Sequence, residues 1–253
     1  MSCCPASSLP PTDPNIGIGC VKKYGQTTIY VTGPPKAKAG LLALPEIFGL
    51  ESGRIRTDAD RLGELGYAVV LVDLADGDYV KEVDDTLQGW LRKHPWDSTM
   101  KNHLQDAMEY LQGEAHVERM MSYGYCWGAW VGAHLSAMEA SPILGHVSFH
   151  PSWIVENYLN GEGAVNELAK TIKVPQLLLS AGDDPDFIRH DGAVHKILSS
   201  IDKIGQHCEI LDFPEMKHGW VTRGDLNDPD SRDAVFRAWH KDALPFIQKL
   251  CPV

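Results

Sequence analysis

Met120-Met121-Ser122-Tyr123-Gly124-Tyr125-Cys126-Trp127-Gly128-Ala129 is the stretch on which the fold turns. A short apolar run leads into Gly-x-Cys-x-Gly, and a Gly/Ala-rich segment at helical spacing (127–139) follows. A strand that turns straight into a helix with small residues on both sides of one side chain is a nucleophile elbow. The turn leaves no room for side chains at 124 and 128, and it thrusts residue 126 out at the carboxyl end of the strand. The helix aims its free N–H groups and positive dipole end at the same place, where they can stabilise a thiolate or an oxyanion. With Gly at 23 of 253 positions and six cysteines, chance would produce this pattern roughly 0.05 times per chain. The bland alternative is a buried cysteine in a glycine-rich turn, since free cysteine is often a small core hydrophobe.

Outward from the elbow, apolar runs recur at 27–32, 39–44, 67–72, 119–123, 146–149, 176–180 and 208–213. Most lack polar alternation, which suits strands buried on both faces of a parallel sheet. Helical stripes lie between them. Ile55, Ala59, Leu62 and Leu65 form one, stopped by Gly66; Val80, Val83, Leu87, Trp90 and Leu91 form another, ended by Pro95; Leu104, Met108 and Leu111 form a third. Val194, Ile197 and Ile201 follow, then Val235, Phe236, Trp239, Phe246 and Leu250, kinked or broken near Pro245. The expected architecture is α/β: a mostly parallel central sheet with helices on both faces. Residues 1–26 read as a partly mobile leader and 27–253 as a single domain.

Charge narrows the function classes. Lys+Arg is 23 against Asp+Glu 34, a formal charge of -11, so a nucleic-acid partner is not expected. No stretch approaches the ~18 apolar residues of a membrane span, and the N-terminus lacks the pattern of a secretion signal. Six cysteines without CxxC pairs or Cys/His zinc spacing read as reduced thiols in the cytoplasm. The adjacent Cys3 and Cys4 in the Ser/Pro-rich leader carry little functional weight. No GxGxxG, P-loop or HExxH occurs, so neither cofactor nor metal is expected.

An elbow nucleophile needs a base and an orienting acid, which follow it in the chain order nucleophile, acid, base. The apolar run from Pro175 opens into the acidic turn Asp183-Asp184, and the last apolar run opens into Lys217-His218-Gly219-Trp220. His218 is therefore the expected base and Asp184 the acid, with Asp183 an adjacent alternative. His150, which ends another strand, is a second-choice base and a candidate for lining the cleft.

Together these residues resemble the dienelactone hydrolase (carboxymethylenebutenolidase) family of the α/β-hydrolase fold. The resemblance rests on Pro45-Glu46-Ile47-Phe48-Gly49, Gly124-Tyr125-Cys126-Trp127-Gly128, the Asp184 turn and Lys217-His218-Gly219-Trp220, and it runs from about residue 27 to the C-terminus. It implies Cys126 as nucleophile, His218 as base and Asp184 as acid, and places the family's aspartate at 184. It also implies that Glu46 hydrogen-bonds the resting thiol and shifts when substrate binds. The oxyanion hole would be the backbone N–H groups of Ile47 and Trp127. Arg223 maps onto one of two arginines that hold a substrate carboxylate; the other has no counterpart in the acidic segment after 67–72.

The expected activity is cleavage of a small-molecule ester or lactone through a thioester on Cys126, by a cytoplasmic monomer or small homo-oligomer. Two rivals are a ligand-binding protein that retained the fold without turnover and a thiol redox protein using Cys126, with Cys208, remote in sequence but near in space, as the resolving thiol.

Overall fold

A strand that is apolar at every position can be satisfied only if both sheet faces are covered. The computed structural model describes residues 4–12, 14 and 16–253, with Ser98 by its backbone alone; Cys3 lies outside them. Among these residues, eight strands form one sheet: β1 (Cys20–Tyr24), β2 (Thr27–Thr32), β3 (Ala39–Leu44), β4 (Ala68–Val72), β5 (Arg119–Tyr125), β6 (His146–Phe149), β7 (Gln176–Ala181) and β8 (Glu209–Phe213). Their spatial order is β1-β2-β4-β3-β5-β6-β7-β8. The β1–β2 and β2–β4 pairs are antiparallel, and the other neighbours are parallel. The fold is the expected mostly parallel α/β arrangement.

Among the described residues, ten α-helices connect or flank the strands: α1 (Ile55–Glu64), α2 (Leu87–Lys93), α3 (Lys101–Glu109), α4 (Trp127–Ala137), α5 (Ile154–Asn160), α6 (Ala164–Thr171), α7 (Ala193–Ser200), α8 (Trp220–Arg223), α9 (Pro229–Arg237) and α10 (Leu244–Leu250). The side chains of each apolar strand divide between two cores. Leu42, Leu44, Val70 and Val72 pack with α3, α4, α6 and α7. Leu41, Ala43, Val69 and Leu71 pack with α1, α9 and α10. This two-sided burial is why the runs show no alternation.

Three features depart from the sequence reading. The sheet starts inside the leader, because β1 pairs with β2 although most of its residues are exposed. The stripe beginning at Val80 is helical only from Leu87: Asp84 accepts the Thr86 N–H at 2.8 Å and turns the chain ahead of α2. Helices α5 and α6 occupy a segment for which no stripe was expected. At Pro245 the last stripe departs from regular α-helix as expected: a π-helical turn (Ala238–Ala243) joins α9 to α10, which carries the proline in its first turn.

Candidate active site

The parallel strands β5, β7 and β8 deliver Cys126, Asp184 and His218 to one end of the sheet. At the centre, β5 ends at Tyr125 and α4 begins at Trp127, leaving Cys126 in the turn at φ 52°, ψ -115°. A non-glycine residue at positive φ is held there only by its surroundings. They are tight: a Cβ at Gly124 would lie 2.6 Å from the Gly128 carbonyl, and one at Gly128 would lie 2.3 Å from the Leu44 carbonyl oxygen. The Cys126 N–H donates to Phe149 (3.1 Å), and its carbonyl accepts from Ala129 (3.1 Å) and Ser152 (3.0 Å). The turn is thereby tied to β6 and to the start of α4.

The end of β7 supplies the acid. Asp184 accepts the Ala181 N–H at 2.7 Å on one oxygen, and its other oxygen lies 2.6 Å from His218 Nδ1. Asp183 turns away from the ring and accepts the His218 backbone N–H (2.6 Å) and the Ser7 hydroxyl. Of the two adjacent aspartates, Asp184 orients the imidazole. Cys126, Asp184 and His218 are all buried. Burial opposes the imidazolium, but the negative charges of Asp184 and Cys126 outweigh it and hold the His218 pKa up at about 10. A proton retained on the ring favours a thiolate beside it.

Ile47 and Trp127 flank the elbow from two sides. Ile47 follows β3 and its carbonyl is fixed by the Val80 N–H at 3.0 Å; Trp127 is the first residue of α4. Their amides belong to the segments where an oxyanion hole is expected.

Glu46 and Arg223 are partners of each other. Glu46 is fully buried, with Oε1 accepting from Ser52 (2.5 Å) and Thr222 (2.9 Å), while Oε2 lies 3.1 Å from Arg223 Nη2. Arg223 also donates to the Leu9 carbonyl, and its guanidinium lies over the Phe48 ring at 4.9 Å. Its side chain is 1% exposed. The expectation that Arg223 presents itself to a substrate carboxylate meets a guanidinium already committed to a buried carboxylate. The bonding partner expected for Glu46, the thiol, is likewise replaced here by two hydroxyls and the guanidinium. Arg54 supports this corner by donating to the Trp220, Val221 and Gly224 carbonyls, so it caps α8.

His150 sits at φ 38° beyond β6, with its ring 4.9 Å from the His218 ring in an edge-to-face contact. Burial, reinforced by the neighbouring His218, holds its pKa well below the ordinary histidine range. It is a neutral wall behind the His218 ring.

Two neighbours of the sulfur escaped the sequence reading. Ser152 Oγ lies 3.2 Å from Cys126 Sγ; its place two residues after His150, at the end of β6, was the available signal. Cys4 Sγ lies 3.6 Å from Cys126 Sγ, and Cys4 is only 1% exposed. No local pattern announces a contact across 122 residues. Among the described residues, two groups bring three candidate metal-ligating atoms within 4.8 Å of one another: the buried Cys4, Cys126 and His218, and the more exposed His190, Asp191 and His195. No helix among the described residues is long and apolar enough to cross a membrane.

The dienelactone hydrolase family model matches residues 28–250. A hydrolase of Aspergillus violaceofuscus, pyvD, is 29% identical over 96% of this chain and 99% of its own length. The human carboxymethylenebutenolidase homolog is 24% identical over 82% of this chain and 81% of its own length. Among solved structures, a dienelactone hydrolase-like promiscuous phosphotriesterase, P91, from metagenomic libraries superposes with a TM-score of 0.64 at 22% identity, covering 92% of this chain and 98% of that one. A dienelactone hydrolase candidate from Klebsiella pneumoniae gives 0.63 at 16% identity, covering 92% and 100%.

Proposed function

From the premise that this chain belongs to the dienelactone hydrolase family of α/β-hydrolases, we propose that it hydrolyses a small ester or lactone with Cys126 as nucleophile. The observation that carries this reading is the sulfur on a strained elbow beside an imidazole whose far nitrogen is 2.6 Å from Asp184. Cys126 attacks the acyl carbon as the thiolate, and the developing oxyanion takes hydrogen bonds from the amides of Ile47 and Trp127. His218 then gives its proton to the departing alkoxide, which in a lactone stays tethered to the acyl group. The resulting thioester is cleaved by water, whose proton His218 accepts and returns to the sulfur as the acid leaves. Asp184 keeps the ring in the productive tautomer throughout. A thiolate nucleophile favours activated esters over amides.

Glu46 and Arg223 act in this scheme as positioning residues. Their ion pair joins the turn carrying Ile47 to the segment that follows His218, which fixes one oxyanion donor relative to the base. A cleft of about 780 Å³ lies between leader residues 5–11, Phe48 and the acidic residues Glu82, Asp84 and Asp85. The proposed setting is the cytoplasm, and the proposed form a monomer or small homo-oligomer.

The test is a panel of aryl esters and uncharged and anionic lactones, assayed with wild type, Cys126→Ala and His218→Ala. Turnover by wild type that falls by ~10⁴ or more in Cys126→Ala fits the scheme. Undiminished turnover in Cys126→Ala ends it.

A further inference from the structure

The proposed chemistry uses Cys126 and His218 and gives Cys4 no role. Yet the leader is fastened so as to place Cys4 against the nucleophile. Leu9 donates its N–H to the His218 carbonyl at 3.0 Å, Ser7 bonds Asp183, and Arg223 bonds the Leu9 carbonyl. The three anchors tie the leader to the His218 backbone, to Asp183 and to Arg223, and the Cys4 thiol just ahead of them is buried against Cys126.

The separation of the two sulfurs matches that of two thiolates on one metal ion, and an imidazole nitrogen lies close to both. Tetrahedral zinc binds sulfur at about 2.3 Å and imidazole nitrogen at about 2.0–2.1 Å, so two thiolates on one ion sit roughly 3.8 Å apart. The Cys4 and Cys126 sulfurs are 3.6 Å apart, and the imidazole nitrogen lies within 4.8 Å of both. With Nδ1 committed to Asp184, Nε2 is the nitrogen left to face the sulfurs. A metal-bound histidine whose other nitrogen donates to a carboxylate is the usual supporting arrangement of zinc sites. Soft sulfur donors select zinc over magnesium or calcium.

We propose that Cys4, Cys126 and His218 form a three-ligand site for zinc, completed by a water, in which the leader supplies the ligand that the hydrolytic machinery lacks. Coordination by two thiolates and a neutral imidazole releases to solvent whatever protons those three groups carry and leaves a neutral centre. The bound ion holds the nucleophile and the base at once, so hydrolysis stops until the metal leaves. The ligand set stands on geometry alone; only the inhibition rests on the proposed nucleophilic role of Cys126.

Cobalt(II) titration of the reduced full-length chain, desalted under inert gas, reads the site optically without recourse to activity. Wild type is expected to give sulfur-to-cobalt charge transfer and intense tetrahedral ligand-field bands, both abolished by one equivalent of zinc. Cys4→Ser is expected to bind at least ~100-fold more weakly, with reduced charge transfer, whereas Cys20→Ser matches wild type. Equal cobalt spectra and affinities in wild type and Cys4→Ser would overturn the site, as would a weak octahedral spectrum in wild type. In the ester assay, stoichiometric zinc should abolish wild-type turnover reversibly by chelator and leave Cys4→Ser largely active. Cobalt bound through Cys4 in a protein that turns over no ester or lactone would support the site and refute the hydrolytic reading alone.

Discussion

Replacing Arg223 with methionine separates two roles for this residue. In the structure its guanidinium lies 3.1 Å from Glu46 Oε2, and neither side chain is more than 1% exposed. Methionine preserves much of the stem and removes the charge, so a buried carboxylate loses its ionic partner. Breaking one side of a buried pair costs about 3–5 kcal/mol. The Ser52 and Thr222 hydroxyls still donate to Glu46, which places the expectation near the lower end, about 3 kcal/mol. For a chain of this size that corresponds to a fall in Tm of roughly 6–12 °C. Thermal scans and urea titrations of wild type, Arg223→Met, Glu46→Gln and the double variant complete the cycle. The double variant is expected to recover at least half of the loss, because it no longer buries an unpaired charge. A variant of wild-type stability whose KM rises only for anionic substrates would refute this reasoning and return Arg223 to the substrate.

Three further outcomes follow from the same geometry. Gly128→Ala drives a methyl to 2.3 Å from Leu44 O and 2.5 Å from Pro45 O; it is expected to destabilise by about 1–3 kcal/mol or more, read by urea denaturation, and to depress turnover through displacement of the elbow. Asp184→Asn is expected to lower kcat by ~10³–10⁴ through loss of the productive tautomer, while Asp183→Asn stays within ~10-fold; the reverse ranking in steady-state kinetics would exchange their roles. His146, which burial holds at a pKa of about 3 against its ordinary 6.5, makes the folded state bind fewer protons than the unfolded state between those values. Its stabilising effect is complete above about pH 6.5 and is lost as pH falls toward 3, by about 2 kcal/mol at pH 5. Denaturation of wild type and His146→Gln from pH 7 to 5 should show the smaller decline in the variant.

How much the sequence disclosed depended on how local each cause was. The seven apolar runs became strands because a doubly covered parallel sheet writes its burial into consecutive residues. The elbow was legible because its glycines answer a steric demand within five positions: Gly124 and Gly128 face each other and the Leu44 carbonyl. Strand β1 was hidden because Cys20–Tyr24 is mostly exposed and is held by pairing with β2. The start of α2 was hidden because the Asp84 carboxylate, and no break in hydrophobicity, sets it. At the site, Cys126, Asp184 and His218 could be ordered along the chain, and their convergence follows from parallel strands whose carboxyl ends lie along one edge of the sheet. The Glu46–Arg223 pair and the Cys4–Cys126 contact join segments remote in sequence, and neither residue type carries a signal for its distant partner. That is why neither the pairing of Arg223 with Glu46 nor the approach of Cys4 to Cys126 was legible.

The most direct test of the central claim is rapid-quench intact-mass analysis during turnover of an activated aryl ester, followed by peptide mapping. The account predicts one acyl group per chain, attached to Cys126 as a thioester and labile to hydroxylamine. It also predicts that the acyl group accumulates when His218 is replaced by alanine and acylation is driven by a good leaving group. Acylation at another residue, or full turnover with Cys126 replaced by alanine, would contradict it.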